Sequence, residues 1–267
     1  MIRNTIKTVR EATFCIELPN QVQQGMPTPT GTGFFVSPDG WFVTAAHVIT
    51  KNGTVNSEQR DDIDKAWLMK EPSSSGFSSM CQFITLEHVL SGYDFALLKV
   101  GFEKNSNKDW LKGRSGFPYI NISSRKLEMG EPVYSFGYPL STGQAQKGKG
   151  VVIGSTQLSP RLTSAIVSSD LDKTQMVMTG SDPKHYVLDK ALNYGNSGGP
   201  IIATETGRVH AFCSRFQPVF IPQRHLKNQD GTIPHVMIPS LYGVVSGLNN
   251  EPILKLLRSL GVPLSDD

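Results

Sequence analysis

A serine enclosed by glycines is the strongest chemical feature of this sequence. Ser197 lies in the segment 195–200, which reads Gly-Asn-Ser-Gly-Gly-Pro. Glycines permit tight turns in which backbone N–H groups converge on one point, and such donors stabilise the oxyanion formed when a hydroxyl attacks a carbonyl. The segment therefore predicts a nucleophile for acyl transfer, although it also fits an ordinary surface turn before a strand at residues 201–204.

A histidine and an aspartate upstream supply the other groups that an activated serine needs. His47 ends the second strand of a predicted β-hairpin whose turn is Ser-Pro-Asp-Gly at residues 37–40. Asp94 opens the apolar run 95–98. A carboxylate in a poorly solvated place can orient an imidazole, which then accepts the serine proton. Each residue also fits a structural role as a strand-end or turn residue, but together they predict a Ser-His-Asp triad.

The three motifs, in the order His47, Asp94, Ser197, resemble those of the chymotrypsin-fold, trypsin-like serine proteases. The stretches Thr-Ala-Ala-His, Asp-Phe-Ala-Leu-Leu and Gly-Asn-Ser-Gly-Gly-Pro are similar to that family's signatures in residue type and spacing. Other triad enzymes use other chain orders. Residues 189–197 also resemble the stretch before the nucleophile in the bacterial high-temperature-requirement (Deg-type) proteases. Those relatives usually carry a peptide-binding PDZ domain, for which this chain leaves no room, so we expect a single-domain relative.

The resemblance implies an all-β fold of two six-stranded antiparallel β-barrels with a C-terminal α-helix. We expect residues 1–115 to form the barrel that carries His47 and Asp94. Residues 116–250 would form the barrel that carries Ser197, and residues 251–267 the helix and tail.

Local patterns add detail to this expectation. Short apolar runs separated by turns agree with many strands, among them Thr5–Leu18, while residues 141–150 are predicted as a loop. Ile253, Leu257 and their neighbours recur at helical spacing, and Asn250 is placed to cap that helix.

The resemblance also assigns substrate-contacting groups. The oxyanion hole would consist of the backbone N–H groups of Gly195, Asn196 and Ser197. The base of the primary specificity pocket lies six residues before the nucleophile in the family, which is Ala191 here, with Leu192 beside it. Such a pocket offers no anion to a Lys or Arg side chain, so we expect a small or medium apolar residue before the scissile bond. Phe212, Cys213 and Ser214 lie on the strand expected to pair with the substrate backbone.

Composition narrows the class of protein. The 267 residues are 38% hydrophobic and 18% charged, which is typical of a globular protein. A net charge of +3 without a basic, aromatic-rich stripe predicts no nucleic-acid partner, and the absence of a long apolar run predicts no membrane partner. Cys15, Cys81 and Cys213 form no disulfide framework, and the first residues lack the apolar core of a secretion signal. We therefore expect a protein of the bacterial cytoplasm.

The sequence thus predicts a serine endopeptidase that acts on polypeptides and needs neither a cofactor nor a metal. Because such an activity is hazardous inside a cell, we expect an activating partner, self-assembly or the substrate to order the oxyanion turn or residues 141–150. Two alternatives stay open. One is a non-catalytic peptide-binding module on the same fold, and the other is an esterase or other acyl transferase that uses the same triad.

Overall fold

The computed structural model of the chain describes residues 2–23, 26–50, 66–72, 78–82, 85–101, 111, 113–148, 151–171, 184–223 and 226–266. Strands dominate the described residues. Within the described residues, the first half contributes two α-helices and seven strands: α1 Ile2–Ala12, β1 Thr13–Gln23, β2 Met26–Phe35, β3 Trp41–Ala45, α2 Ala46–Ile49, β4 Trp67–Pro72, β5 Ser78–Gln82, β6 Thr85–Leu90 and β7 Phe95–Lys99. The second half contributes the rest: β8 Ile122–Ser123, β9 Pro132–Gly137, β10 Thr142–Gly148, β11 Val151–Gln157, β12 Arg161–Leu171, β13 His185–Leu188, β14 Pro200–Ala203, β15 Val209–Pro222, β16 His235–Gly247, α3 Glu251–Ser259 and β17 Leu264–Ser265.

The first half folds as one antiparallel sheet. Its seven strands follow the order β5-β4-β1-β2-β3-β7-β6. β3 pairs with β7 in a register that sets Ala45 opposite Phe95. This register brings the end of β3 and the start of β7 to the same edge of the sheet, which is where His47 and Asp94 lie.

The second half closes into a barrel. Its strands follow the order β14-β9-β12-β13-β16-β15, and a further pairing of β14 with β15 completes a ring of six antiparallel strands. β8 and β17 extend the sheet beyond β15 through parallel pairings. The predicted all-β architecture with a C-terminal helix is confirmed, whereas the boundaries at residues 115 and 250 stay predictions.

One cluster of buried apolar side chains spans both halves, and a second cluster lies within the second half. Residues of the first sheet and Phe136, Tyr138, Ile202 and Phe212 of the second half belong to one continuous cluster of buried side chains. The rings of Phe95 and Phe212 face each other with centroids 6.0 Å apart. Tightly packed side chains therefore lie beneath the cleft between the halves. Such packing favours fixed positions for the polar groups that line the cleft.

The N-terminal segment corrects one prediction. Residues 5–12, predicted as part of a strand, belong to helix α1, and only the residues from Thr13 onward form β1. The β-branched residues of this segment favour a strand by propensity. However, Ile6, Val9 and Ala12 share one helical face, and that face packs against the core. Burial of an amphipathic face outweighs a weak propensity.

Three further predictions meet different outcomes. Residues 142–148 form β10 of the hairpin β10–β11 rather than a loop. The C-terminal helix α3 is confirmed, with Ile253, Leu254 and Leu257 buried. The side chain of Asn250 does not cap α3, because it binds the backbones of Lys184 and Gly247 instead. Among the described residues, no helix has the length and apolar character needed to span a bilayer.

Candidate active site

Ser197 lies in a turn, directly before β14, that requires glycine at two positions. Gly195 has φ of +93° and Gly198 has φ of +81°, a region that L side chains rarely adopt. A Cβ atom on Gly195 would lie 2.5 Å from the carbonyl oxygen of Tyr138. A Cβ on Gly198 would overlap Thr44 and the backbone of Thr32. These glycines therefore allow the turn to pack closely against both halves of the molecule.

The peptide group before Gly195 has a fixed orientation. The carbonyl oxygen of Tyr194 accepts a hydrogen bond from the N–H of Leu140 at 2.9 Å. In a planar trans peptide the C=O and N–H point in opposite directions, so the N–H of Gly195 points away from Leu140. Leu140 itself has φ of +56°, an uncommon conformation for a leucine that places its amide at this carbonyl.

The structure distinguishes among the three amides that the sequence assigns to an oxyanion hole. The N–H of Asn196 donates to the carbonyl of Asn193 at 3.0 Å, so it closes the turn and is not available to a substrate. The amides of Gly195 and Ser197 make no hydrogen bond within the described part of the chain. The turn therefore offers two backbone donors.

His47 and Asp94 form a directly bonded pair. His47 Nδ1 lies 2.9 Å from Oδ2 and 3.0 Å from Oδ1 of Asp94, and the His47 backbone N–H donates to Oδ1 at 3.1 Å. A carboxylate can only accept, so Nδ1 carries the proton of the neutral ring and Nε2 is left as an acceptor. This is the tautomer that a general base for a hydroxyl requires.

Local structure explains why the pair meets. His47 lies in α2, one turn that follows β3, and the N–H of Ala46 donates to the Asp94 carbonyl at 2.8 Å. Asp94 has φ of +54°, between a short 3₁₀ turn and β7. Asp94 is 4% exposed, whereas His47 is half-buried. The carboxylate is thus shielded from water while the imidazole can still reach a substrate.

Ser214 supplies a further donor to the same carboxylate. Its Oγ donates to Asp94 Oδ2 at 2.6 Å. Ser214 sits at a β-bulge, because Cys213 pairs with Val245 and Arg215 with Val244. A bulge turns a side chain away from the regular alternation, and here it turns the hydroxyl towards Asp94. The sequence predicts that Ser214 lies on the substrate-binding strand, but no local pattern indicates its contact with Asp94.

One cleft of about 340 Å³ contains the proposed nucleophile and base. Fourteen residues line it, as follows: Pro29, Thr30, His47, Tyr138, Leu140, Ser141, Leu192, Asn193, Tyr194, Gly195, Ser197, Cys213, Ser214 and Arg215. Within the described residues the Ser197 hydroxyl has no hydrogen-bond partner, and the His47 ring bonds only Asp94. The structure therefore brings all three groups to one place, with the Ser197 hydroxyl still unpaired.

The predicted specificity residues divide between the cleft and the core. Leu192, Cys213 and Ser214 line the cleft, whereas Ala191 does not. Phe212 is fully buried and packs on Phe95. The sequence did not single out Tyr138, Leu140, Tyr194 or Arg215 as lining residues, because their position depends on how distant loops and the bulge fold together.

Two titratable residues near the triad, Cys213 and His185, have pKa values shifted in the direction that favours their neutral forms. Burial raises the pKa of the Cys213 thiol, and the charge of Asp94 adds to that effect, so Cys213 is an uncharged wall of the cleft and not a nucleophile. Burial, with the charge of Arg215, lowers the pKa of His185 to about 4. Within the described residues, no cluster of three or more His, Cys, Asp or Glu side chains could hold a metal ion.

Comparisons with known proteins identify a family and relatives that this chain resembles. The sequence model of the family described as trypsin-like peptidase domain matches residues 31–211. Serine protease HTRA1 of Xenopus tropicalis is 26% identical over 206 residues, covering 75% of this chain and 35% of that protein. Serine protease HTR4 of Rattus norvegicus is 28% identical over 181 residues, covering 67% of this chain and 28% of that protein.

A solved structure shares the fold. It is described as the HtrA-type protease AlgW with tripeptide, and it superposes with a TM-score of 0.56 at 16% sequence identity. The match covers 97% of this chain and 63% of that one. The chain spans about a third of the length of the curated relatives that it matches.

Proposed function

The chain belongs to the family of trypsin-like peptidase domains, and we propose that it is a serine endopeptidase with the triad Ser197, His47 and Asp94. The observation that carries the proposal is the His47–Asp94 pair, bonded through Nδ1 at the edge of the cleft that Ser197 also lines. A histidine or a serine with only a structural role at the surface would not require this hydrogen-bonded pair beside a shared cleft. The pair leaves His47 Nε2 as the acceptor for the proton of a nucleophile.

The first half of the proposed reaction forms an acyl-enzyme. Ser197 Oγ attacks the peptide carbonyl while His47 Nε2 takes its proton, and the carbonyl π electrons move onto oxygen. The N–H groups of Gly195 and Ser197 stabilise this oxyanion, and the loss of one such donor costs on the order of 3–4 kcal/mol in a related reaction. The tetrahedral intermediate then collapses, the C–N bond breaks, and His47 returns the proton to the departing amine.

The second half repeats these steps with water. His47 takes a proton from a water molecule, the hydroxide attacks the ester carbonyl, and the C–O bond to Ser197 breaks as His47 protonates Oγ. Asp94 stays ionised throughout and stabilises the imidazolium that forms twice in each cycle. The hydrogen bond from Ser214 and the shielding of Asp94 from water hold that carboxylate in place.

Strand β15 is the proposed substrate-binding element. We propose that an extended peptide pairs with β15 at Ser214, because the N–H and C=O of Cys213 already bond Gly199 and Gly198. Leu192 and Cys213 give the cleft apolar walls, and Asp189 is exposed and accepts the N–H of Ile166 at 2.7 Å. These contacts support a small or medium apolar residue before the scissile bond.

Activity-based labelling tests the assignment. Wild-type protein should react with a fluorophosphonate probe and cleave an unstructured protein such as casein. Ser197→Ala should lose both activities, and His47→Ala should lose nearly all labelling, with each variant checked for an unchanged thermal melt. A wild type that neither reacts nor cleaves would support the non-catalytic peptide-binding module.

Matched substrates separate the remaining alternatives. An amide and an ester of the same peptide distinguish an endopeptidase, which cleaves both, from an esterase, which leaves the amide intact. A peptide series that varies the residue before the scissile bond should be cleaved fastest at Ala or Val. Fastest cleavage after Arg or Lys would contradict the proposed pocket.

Activation by a partner or by self-assembly stays a proposal. The hydrogen bonds that hold the oxyanion turn, from Leu140 to Tyr194 and from Thr32 to Gly195, lie within a single chain. Cleavage of a short peptide should therefore be measured over a wide range of enzyme concentrations. A specific activity that rises with concentration would favour assembly, and a constant one would argue against it.

A further inference from the structure

Lys70 of β4 is a half-buried amine that the proposed reaction does not use. Its Nζ atom donates to the Thr13 carbonyl at 3.0 Å and lies 4.5 Å from the centre of the Phe14 ring. Among the described residues, no carboxylate lies within ion-pair distance of this nitrogen. An ammonium group has three N–H donors, and here the described part of the chain offers it one hydrogen-bond acceptor.

The carboxylates closest to Lys70 are engaged with other cations. Glu71 accepts from Arg10 at 2.7 Å, and Glu11 lies 3.6 Å from Arg114. Burial lowers the pKa of Lys70 to about 7. The charges of the two arginines act in the same direction, and those of the two carboxylates oppose it. The geometry and the burial thus favour a neutral amine, whose nitrogen carries a lone pair, in a large share of the molecules at neutral pH.

Lys70 also lines an open cavity of about 320 Å³ beside helix α1. The other residues that line it are Ile6, Lys7, Arg10, Glu11 and Glu71. Lys7 is exposed and makes no ion pair within the described part of the chain. The cavity therefore gives a small molecule access to Lys70, and Lys7 attracts a molecule that carries a negative group.

We propose that Lys70 is an acylation site, at which its neutral Nζ attacks the carbonyl carbon of a small acyl phosphate. The N–C bond forms as the carbonyl π electrons move onto oxygen. The intermediate then collapses, the C–O bond to phosphate breaks, and phosphate leaves with the bonding electrons while Nζ loses a proton to water. The products are inorganic phosphate and a secondary amide on Lys70.

The acylated side chain fits the same surroundings. The amide retains one N–H, which can still donate to the Thr13 carbonyl, and a short acyl group has room in the cavity. Acylation removes a positive charge beside Glu71, which accepts the hydroxyl of Tyr138 at 2.7 Å. Because Tyr138 lines the active-site cleft, the modified residue is two contacts away from it. The acylation itself does not depend on the proposed endopeptidase function.

The expected selectivity follows from the fraction of neutral amine. At pH 7 that fraction is roughly a thousandfold higher for an amine with a pKa of about 7 than for a solvated lysine. Lower basicity and half-burial of Lys70 remove part of this advantage, so we expect it to react about tenfold or more faster than an exposed lysine. Above about pH 8 its rate should level off, whereas the rate of an exposed lysine should rise about tenfold per pH unit.

The experiment follows the acetylation of individual lysines by acetyl phosphate between pH 7 and pH 9. Ser197→Ala protein is used because it lacks the proposed nucleophile, and mass spectrometry of peptides gives the rate at each lysine. Lys255, exposed on α3 and outside the cavity, is the internal reference. In protein unfolded by urea, Lys70 should react at the same rate as Lys255, because the fold creates its reactivity.

A charge variant tests the choice of an acyl phosphate. Lys7→Gln should slow acetylation of Lys70 by acetyl phosphate about two- to fivefold and leave its reaction with uncharged acetic anhydride unchanged. Lys227→Gln is the matched control, since Lys227 is exposed and does not line the cavity, and it should slow neither reaction. Equal slowing of both reactions in Lys7→Gln would contradict the attraction of a phosphate group.

Three outcomes would overturn the acylation site itself. The first is a rate at Lys70 no higher than that at Lys255 in the folded protein at pH 7. The second is a rate at Lys70 that rises in parallel with that at Lys255 up to pH 9. The third is an excess reactivity of Lys70 that persists in urea, which would assign it to the local sequence and not to the cavity.

Discussion

Thr32 of the first sheet donates its hydroxyl proton to the carbonyl oxygen of Gly195 at 2.6 Å. The same oxygen atom of Thr32 accepts the N–H of Tyr138 at 3.1 Å, and the Thr32 backbone N–H donates to the Ser197 carbonyl at 2.8 Å. One buried residue of the first half therefore fixes the positions of Gly195 and Ser197, the two residues whose N–H groups form the proposed oxyanion hole. The two halves meet through backbone atoms of the nucleophile turn as well as through the apolar core.

We expect Thr32→Val to reduce kcat about tenfold or more while KM changes little. Valine keeps the shape of threonine but leaves the Gly195 carbonyl and the Tyr138 N–H without their partner, which costs about 1–3 kcal/mol for each buried group. That loss loosens the turn whose geometry matters most in the transition state. Steady-state kinetics and the rate of fluorophosphonate labelling measure the effect.

Two variants show whether the Thr32 hydroxyl itself is responsible. Thr32→Ser restores the hydroxyl and should recover most of kcat. Thr13→Val removes a buried hydroxyl that has no hydrogen-bond partner in the described part of the chain, and it should leave kcat unchanged. Normal kcat in Thr32→Val, or equal losses in all three variants, would contradict a positioning role.

Ser214→Ala should lower kcat/KM about tenfold, because Asp94 loses one of its donors but keeps both of its bonds to His47. A hydrogen bond to a charged group contributes about 1.5–3 kcal/mol. Because Asp94 keeps its contacts with His47, we expect the activation free energy to rise by an amount at the lower end of this range. Ser135→Ala is the control, since the buried Ser135 hydroxyl has no partner among the described residues. If the two variants have equal kcat/KM, the Ser214 contact does not matter for the reaction.

The sequence predicts the triad because its three motifs depend on local features. Ser197 needs its flanking glycines, and His47 and Asp94 each follow or open a strand, which can be recognised without knowing the rest of the fold. The antiparallel pairing of β3 with β7 then brings His47 and Asp94 together. The C-terminal helix was predictable for a similar reason, since its apolar residues repeat at helical spacing over nine residues.

Other parts of the site depend on contacts that no local pattern contains. Ser214 reaches Asp94 only because a bulge interrupts the pairing of β15 with β16. The Asn196 amide is lost to the oxyanion hole because the turn folds back on Asn193. The sequence predicts a strand where helix α1 forms, because the helix depends on burial of Ile6 and Val9 against the core, and burial depends on the tertiary structure.

Helix α1 is tied to the wall of the cleft through Glu71. Arg10 of α1 donates to Glu71 Oε1 at 2.7 Å, and the Tyr138 hydroxyl donates to Glu71 Oε2 at 2.7 Å. Burial raises the pKa of Glu71, but the bonds from Arg10 and Tyr138, with a backbone bond and the charge of Lys70, together outweigh it and lower that pKa below its usual value. A carboxylate held in this way contributes stability above its unfolded pKa and loses it as the pH falls through the folded one.

We expect Tyr138→Phe to lower the free energy of unfolding by about 1–2 kcal/mol, because Tyr138 is buried and its bond to a carboxylate is shielded. Arg10→Ala should cost less than about 1 kcal/mol, since the Arg10 side chain is 53% exposed. Urea unfolding at neutral pH measures both values. A larger loss for Arg10→Ala would mean that the bond from α1, rather than the one from the cleft wall, fixes Glu71.

His185 makes the stability of the fold depend on pH in the acidic range. Its side chain is buried in β13, and its Nδ1 atom has no hydrogen-bond partner in the described part of the chain. Burial, with the charge of Arg215, lowers its pKa from 6.5 to about 4, while a bond to the Val245 backbone and the charge of Asp94 act in the opposite direction. Between these two values the unfolded chain binds a proton that the folded chain excludes.

Stability should therefore rise with pH over this window, being fully present above about 6.5 and lost as the pH falls towards 4. The difference in pKa corresponds to about 3 kcal/mol at most. The free energy of unfolding of His185→Gln, measured in urea at several pH values from 7.5 to 4.5, should have a smaller slope than that of wild type. His235→Gln, which alters an exposed histidine of β16, should keep the wild-type slope. Parallel curves for wild type and His185→Gln would show that the buried ring does not govern this dependence.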